Sequence, residues 1–151
     1  MENLVKPLLF LKQFSGKKVL ITGHTGFKGV WLSIWLKKLG AEVTGFALPP
    51  ENPNSNFFTA TKISKDINSN YGDLNDFSNV SRIVQDCEPE IIFHLGAQAL
   101  VRRSYNFPLE TFSTNIMGTA NVLEAARKCH DLKAIVSVTT DKCYENKEWE
   151  W

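Results

Sequence analysis

Three glycines separated by pairs of residues make up the segment whose residue types and spacing could bind a phosphate. They lie in the run Gly23-His24-Thr25-Gly26-Phe27-Lys28-Gly29, directly after the apolar run Val19-Leu20-Ile21. Between a strand and a helix, the first glycine permits a sharp turn, the second lets backbone approach a diphosphate, and the third allows close helix packing. The N–H groups and the positive dipole end of that helix would face the anion. We therefore predict that the cofactor-binding residues here are Gly23, Thr25, Gly26, Phe27, Lys28 and Gly29.

The flanking sequence supplies the elements that such a turn requires. After Gly29 the apolar residues recur at helical spacing up to Gly40, which has the position of a helix C′ residue. A second strand is predicted at 42–47. Glycine-rich surface turns are the alternative interpretation of a lone glycine pattern. Lys28 and His24 lie in the turn where a phosphate could bind, with exposed polar loop residues as the alternative interpretation, and we assign His24 no catalytic role.

Strands and helices alternate along the rest of the chain. Further strands are predicted at 65–71, 90–97 and 132–139, and helices at 57–63, after a cap at Asn75 or Asp76, and from Pro108 to Cys129. In the last helix, the expected inner face carries Phe112, Ile116, Ala120, Leu123 and Ala126. This alternation predicts an α/β, doubly wound parallel sheet of the Rossmann type, with strand order 3-2-1-4-5.

Ligands of such sheets bind beyond the carboxyl ends of the strands, and several further groups lie there. The third and fourth strands are followed by Asp73, Leu74, Leu95, Gly96, Ala97 and Gln98, which we predict to contact the cofactor. An acidic residue that would hold the adenosine ribose is expected about twenty positions past the glycine turn, but Ala47-Leu48-Pro49 stands there. Asp73 is the nearest acidic candidate, with a simple turn aspartate as the alternative.

The end of the fifth strand concentrates groups that can move protons. Thr140, Asp141 and Lys142 offer a hydroxyl that can orient a substrate oxygen, a carboxyl group that can donate a proton, and an amine that can accept or relay one. A solvated turn is the alternative interpretation. Since this position lies at the ligand edge of the sheet, we predict that the three residues are catalytic.

Composition excludes several classes of protein. The chain has 151 residues and a net charge of +1 without basic runs, so one domain is expected and no surface for nucleic acid is indicated. Three widely spaced cysteines predict neither a disulfide framework nor a metal site, which fits a reducing cytoplasm. The apolar run Leu8–Leu11 is too short to span a membrane and is flanked by lysines. We predict an N-terminal arm or short helix over residues 1–16 and a nucleotide-binding domain over 17–151.

Four motifs together resemble the CDP-glucose 4,6-dehydratase family of the extended short-chain dehydrogenase/reductases. They are Gly23–Gly29 with Trp31-Leu32, the run Gly45–Pro50, the run His94–Tyr105, and Thr140–Asn146. The Asp-Lys pair at 141–142 is more specific than the glycines, because related dTDP-glucose dehydratases have Asp-Glu there. The resemblance extends from about Gly16 to Trp151.

The resemblance implies an NAD-dependent lyase that dehydrates a CDP-linked glucose to a 4-keto-6-deoxy sugar for bacterial surface polysaccharides. In that role Thr140 would bond the C4 oxygen, Asp141 would protonate the departing C6 hydroxyl, and Lys142 would serve in removal of the C5 proton. A homo-oligomer is expected, with a nucleotide sugar as the substrate partner. The residues themselves leave NAD and NADP open.

One family feature does not occur in this sequence. The hydride step of the superfamily depends on a Tyr-x-x-x-Lys pair, and Tyr71, Tyr105 and Tyr144 lack the lysine. We therefore interpret the chain as the cofactor-binding part of a dehydratase, which should be inactive alone and should expose an apolar sheet edge near strand five. The alternatives are a non-catalytic dinucleotide-binding module and another nucleotide-sugar dehydratase or epimerase.

Overall fold

The structure, a computed structural model, describes residues 12–52, 54–140, 143–145 and 147. Its centre is a parallel sheet of five strands in the order β3-β2-β1-β4-β5. The strands are β1 (Lys18–Thr22), β2 (Glu42–Ala47), β3 (Asn68–Tyr71), β4 (Ile91–His94) and β5 (Ala134–Ser137). The predicted fold class and strand order are confirmed. The predicted N-terminal arm falls largely on residues 1–11, outside the described residues.

The helices lie between the strands, as the sequence pattern predicts. They are α1 (Phe27–Lys38), α2 (Phe57–Thr61), α3 (Phe77–Cys87), α4 (Val101–Asn106), α5 (Pro108–Phe112) and α6 (Gly118–Ala126). A 3₁₀ turn spans Ile63–Lys65, so β3 begins at Asn68 and not at the predicted residue 65. A π-helical turn, Ser113–Met117, joins α5 to α6.

The core has two halves because successive residues of a strand face opposite sides of a sheet. Leu20 of β1 packs on the side of α3 and α6, with Phe46, Ile92 and Val122. On the opposite side, Val19 and Ile21 pack with α1 and with Phe58 and Ile63. Every residue of β1 except Lys18 is therefore buried. This burial accounts for the continuous apolar run before the glycine turn.

The helix predicted from Pro108 to Cys129 forms in segments, and its inner face is not the predicted one. Phe112, Ile116 and Leu123 are exposed, whereas Val122 and Ala125 are buried. A π-helical turn accommodates more residues per turn than an α-helix, so it shifts the phase of the residues after it. Phe112 precedes this turn and is already exposed, so the predicted stripe starts on the wrong face and the phase shift alone does not account for the error. Of the predicted stripe, Ala126 is buried.

Two local predictions at helix ends are confirmed. Gly40 follows the C-cap of α1 with a φ of +83°, a conformation that favours glycine. Asp76 is the N-cap of α3, and its side chain accepts a hydrogen bond from the backbone N–H of Asn79. Strand β5 forms one edge of the described sheet, and Val136 remains 44% exposed there. This agrees with the expected apolar edge.

Candidate functional site

The carboxyl ends of the strands enclose a cavity of about 510 Å³. Its walls come from the glycine turn and from the loops after β2, β3, β4 and β5. The lining residues are Gly23, Thr25, Gly26, Phe27, Lys28, Gly29, Ala47, Leu48, Gly72, Asp73, Leu74, Leu95, Gly96, Ala97, Ala99, Thr114, Val138 and Thr139. The structure thus brings together the predicted cofactor-binding residues except Gln98. The volume is in the usual range for a small-molecule site.

The glycine turn has its shape because two of its positions tolerate no side chain. Gly23 has a φ of +75°, and a Cβ there would lie 2.8 Å from the backbone nitrogen of Gly96. A Cβ on Gly29 would lie 2.1 Å from the carbonyl oxygen of Gly23. Both contacts are with backbone, so no side-chain rotation could relieve them. The turn therefore packs against the β4 loop and against its own helix as closely as backbone allows.

The N-terminus of α1 opens into this cavity. Gly26 is the N-cap and supplies no side-chain hydrogen bond, and the first turn contains no acidic residue. The first N–H groups of a helix have no acceptor within it, and they carry the positive end of its dipole. Lys28 lines the same wall and is exposed. This combination suits an anion such as a diphosphate.

The glycine turn is also fixed to strand β2. The hydroxyl of Thr25 donates to the carbonyl oxygen of Leu48 at 3.0 Å, and the backbone N–H of Gly23 donates to that of Phe46 at 2.9 Å. Ala47 and Leu48 therefore form the wall beside the turn, where many dinucleotide sites carry an acidic residue. This wall of the cavity is apolar.

His24 is completely buried, so the alternative of an exposed polar loop residue is wrong for it. Its Nε2 lies 2.7 Å from the Ser69 hydroxyl, and its ring lies edge-on to Phe58 and roughly parallel to Tyr71. A Cβ on Gly45 would meet the ring at 2.3 Å, which explains the glycine inside β2. Burial lowers the pKa of His24 to about 4, and the Phe46 carbonyl opposes this shift weakly. The imidazole therefore packs as a neutral ring between the turn and the sheet.

Asp73 lines the cavity after β3. Its Oδ1 accepts from the backbone N–H of Asn75 at 2.9 Å and from the Asn75 side chain at 3.1 Å. This is the geometry of a turn aspartate, and the residue is also exposed to the cavity. Both interpretations of Asp73 thus remain open. Leu74 is buried beside it and forms the floor of the cavity.

The β4 loop carries hydrogen bonds that sequence reasoning missed. The Gly96 N–H donates to Thr22 Oγ1 at 3.0 Å, and Thr22 Oγ1 lies 2.6 Å from Nδ1 of His94. Thr22 and His94 are both buried, and burial lowers the pKa of His94. A histidine that ends an apolar strand was the available signal. Gln98 does not line the cavity, and it forms hydrogen bonds with Leu100, Thr111 and Asn115.

The predicted catalytic segment lies only partly within the described residues. Val138 and Thr139 line the cavity directly after β5, while Thr140 is exposed and is not part of the lining. The carbonyl oxygen of Thr140 accepts from the Cys143 thiol at 3.1 Å. Asp141 and Lys142 lie outside the described residues. The structure therefore brings to the cavity the two residues that precede the predicted catalytic residues.

Other kinds of site find no support in the described part of the chain. No group of three or more His, Cys, Asp or Glu residues there could hold a metal ion. None of the described helices combines the length and apolar character of a transmembrane span. Burial raises the pKa of the Cys87 thiol to about 12, which opposes a nucleophilic role.

Comparison with known proteins identifies the family. A family profile described as GDP-mannose 4,6 dehydratase matches residues 20–148. The chain belongs to this family. The CDP-glucose 4,6-dehydratase of Salmonella typhimurium is 46% identical over 138 residues, which cover 91% of this chain and 38% of that protein. The chain thus spans well under half the length of this relative.

Solved structures of the same architecture include two epimerases with NAD. A UDP-glucose 4-epimerase of Stenotrophomonas maltophila, with bound NAD, matches at a TM-score of 0.73 and 22% identity, over 89% of this chain and 40% of that one. The UDP-glucose 4-epimerase of Thermus thermophilus in complex with NAD matches at a TM-score of 0.67 and 29% identity. This match covers 77% of this chain and 35% of that one. The first comparison supports the fold, and the second also supports the relationship between the sequences.

Proposed function

We propose that this chain is the NAD-binding part of a nucleotide-sugar 4,6-dehydratase whose whole form acts on CDP-glucose. The observation that carries the proposal is the convergence at one cavity of the glycine turn, the uncapped helix α1 and the β4 loop. The backbone contacts that exclude side chains at Gly23 and Gly29 fix the turn against the β4 loop and its helix, while Gly26, whose added Cβ has its nearest neighbour at 3.3 Å, lets a ligand approach the backbone. A diphosphate is the group that such a turn accommodates.

The cavity residues fit a nicotinamide dinucleotide. The turn and α1 would hold the pyrophosphate, Asp73 and Leu74 would contact the adenosine end, and Leu95, Gly96 and Ala97 would line the path toward β5. The apolar wall at Ala47 and Leu48 offers no cation for a 2′-phosphate. NAD is also the cofactor named for the two epimerases. Bound there, NAD would supply the hydride acceptor and donor that the reaction needs.

The reaction that the resemblance implies removes one water from the sugar. Thr140 would donate a hydrogen bond to the C4 oxygen, Asp141 would protonate the C6 hydroxyl as it leaves, and Lys142 would assist loss of the C5 proton. A carbonyl at C4 makes that proton acidic, which allows a side chain to remove it. Thr139 at the cavity wall supports this placement, since the three residues follow it directly in the chain.

The choice of CDP-glucose rests on sequence similarity. Identity is 46% with the Salmonella CDP-glucose dehydratase. An assay of the complete protein with CDP-glucose, dTDP-glucose and GDP-mannose tests this choice. We expect 4-keto sugar from CDP-glucose, and formation from another substrate alone would contradict the proposal. Because the chain lacks Tyr-x-x-x-Lys, we expect no turnover by the 151 residues alone.

Cofactor binding is tested with the chain itself. Titrating NAD while following thermal unfolding should raise the melting temperature, because a ligand that binds only the folded state stabilises it. Ala97→Phe would add a ring to the cavity wall and should abolish the shift. Ala60→Phe, the same change at an exposed helix position outside the cavity, should preserve it. Equal shifts in both variants, or none in the unmodified chain, would refute the cofactor site.

A further inference from the structure

The cavity-lining segment Leu95–Ala97, here called the β4 arch, is held by hydrogen bonds at both of its ends. At its start the Gly96 N–H donates to the side chain of Thr22. Just past its end, the amide side chain of Asn115 accepts from the backbone N–H of Gln98 at 2.8 Å and donates to its carbonyl oxygen at 3.1 Å. One side chain thus satisfies both backbone groups of Gln98. This pairing imitates the hydrogen bonds of a neighbouring strand.

The two anchors are linked through a continuous chain of polar groups. Nε2 of His94 lies 2.9 Å from Thr119 Oγ1, and the Thr119 hydroxyl donates to the carbonyl oxygen of Asn115 at 2.7 Å. His94 also contacts Thr22 through Nδ1 at 2.6 Å. The path therefore runs from Gly96 through two threonines and a histidine to the residue that holds Gln98.

The direction of each proton in this chain follows from the acceptors. A carbonyl oxygen cannot donate, so the Thr119 hydroxyl must donate to Asn115, and Nε2 of His94 must donate to Thr119. A neutral imidazole then has a lone pair on Nδ1, which accepts from the Thr22 hydroxyl. Thr22 in turn accepts from Gly96. Each of the two hydroxyls both accepts and donates one hydrogen bond, so the loss of one hydroxyl leaves two neighbouring groups without that partner.

The two helical residues of this hydrogen-bonded chain, Asn115 and Thr119, come from the π-helical turn and the start of α6. Asn115 lies within that turn, and Thr119 follows Gly118, whose added Cβ would lie 2.9 Å from the Cβ of Leu74. Close packing of this segment on the cavity floor brings Thr114 to the cavity wall. The π-helical turn and the start of α6 therefore present Asn115 to Gln98 and Thr119 to His94.

We propose that Asn115 and Thr119 are positioning residues that hold the β4 arch in the shape that the dinucleotide requires. This inference rests on the proposed function, because the β4 arch is a wall of the proposed cofactor cavity. Neither residue lines the cavity. They act through Gln98 and His94 on the backbone of Gly96 and Ala97. Their contribution is therefore to cofactor affinity and to local order.

The experiment compares Thr119→Val with Thr119→Ser in the chain. Valine has nearly the shape of threonine but removes the hydroxyl, whereas serine retains it. Amide hydrogen exchange at Gly96 and Gln98 should accelerate about tenfold or more in Thr119→Val relative to amides of β2, and should stay near the unmodified rate in Thr119→Ser. The dissociation constant for NAD should rise about tenfold in the valine variant and less than twofold in the serine variant.

A destabilised control separates positioning from general stability. Glu90→Gln removes ion pairs at the amino end of the sheet, so it should lower the melting temperature without changing amide exchange at Gly96 or the affinity for NAD. Uniform acceleration of exchange in Thr119→Val, as in Glu90→Gln, would overturn the proposal. So would an unchanged NAD affinity in a valine variant whose arch is loosened. Failure of the unmodified chain to bind NAD would instead refute the proposed function, while the exchange rates would still decide whether Thr119 orders the β4 arch.

Discussion

The two ends of the sheet are held together by different physical means. At the amino end, Glu90 accepts from Lys17 at 2.9 Å and also pairs with Lys133, so one carboxylate joins the starts of three strands. At the carboxyl end, strands β1 and β4 are joined by the neutral pair Thr22 and His94. Among the described lining residues of the cavity, Lys28 and Asp73 alone are charged.

This difference shows how the fold separates stability from binding. Ion pairs that solvent still reaches contribute little and are screened by salt, and the lysines that pair with the half-buried Glu90 are 36% and 62% exposed. Buried neutral hydrogen bonds define geometry closely, and the loss of one partner leaves the other as a buried polar group without a hydrogen bond. The end that carries the proposed ligand site uses the second kind. Negative charge from a diphosphate then meets no fixed carboxylate other than Asp73 among those lining residues.

Gly29→Ala should break the carboxyl end most severely. The new Cβ would lie 2.1 Å from Gly23 oxygen and 2.7 Å from His24 Cα, both backbone atoms. We expect a loss of about 4 kcal/mol or more in the free energy of unfolding, measured by urea denaturation. Gly26→Ala is the matched control, because its Cβ would lie 3.3 Å from the nearest atom and should cost about 1 kcal/mol or less. Similar losses in both variants would contradict this account of the turn.

Acid should weaken the carboxyl end through His24. Its folded pKa is about 4 and its ordinary value is 6.5, so the unfolded chain binds the proton more tightly. The stability from neutral His24 is complete above pH 6.5 and is lost as pH falls toward 4, by roughly 3 kcal/mol. Urea denaturation between pH 7 and pH 4 measures the loss. In His24→Gln the loss of stability between pH 7 and pH 4 should be much smaller. An unchanged loss would mean that other titrating groups cause it.

Thr22→Val should lower the free energy of unfolding by about 2 kcal/mol, and this loss should depend little on salt. The change keeps the shape of the side chain but leaves Nδ1 of His94 and the N–H of Gly96 without their partner. Chemical denaturation at low and high salt gives both quantities. Thr44→Val is the control: Thr44 is a half-buried residue of the neighbouring strand β2, and its loss of stability should be smaller. Equal effects would mean that the hydroxyl of Thr22 has no special role.

Glu90→Gln should lower stability least of these variants, and the loss of stability should be smaller at high salt. Its pKa is lowered to about 2 by hydrogen bonds from Lys133 and Lys17, so its contribution is present above pH 4.5 and is lost as pH falls toward 2. Melting temperatures of the variant and the unmodified chain at low and high salt test this. A salt-independent difference as large as that of Thr22→Val would remove the contrast between the two ends.

The sequence predicts much of this arrangement because the decisive signals are local. A strand, a glycine turn and an apolar helix follow one another within 17–40, and the alternation of elements determines the sheet order. The walls of the cavity follow from the strand ends. By contrast, His24 looks like any polar loop residue until β2 supplies Gly45 as the space for its ring.

The remaining errors come from contacts between distant segments. The pairing of Asn115 with Gln98 joins residues 17 positions apart, and that of Thr22 with His94 joins residues 72 apart. Neither pair has a periodic signature. The π-helical turn at Ser113–Met117 changes the helix phase without a glycine or proline in it, so its own sequence gives no signal of the change.

The most direct test of the central claim is a titration of the isotopically labelled chain with NAD, followed by backbone amide chemical shifts. The claim is that the glycine turn and the N-terminus of α1 bind the diphosphate. The account predicts that the largest shifts occur at residues 23–29, with smaller ones at Gly96 and Ala97 and none at Gly16 or Gly40. Shifts confined to other parts of the chain, or none at saturating NAD, would contradict it.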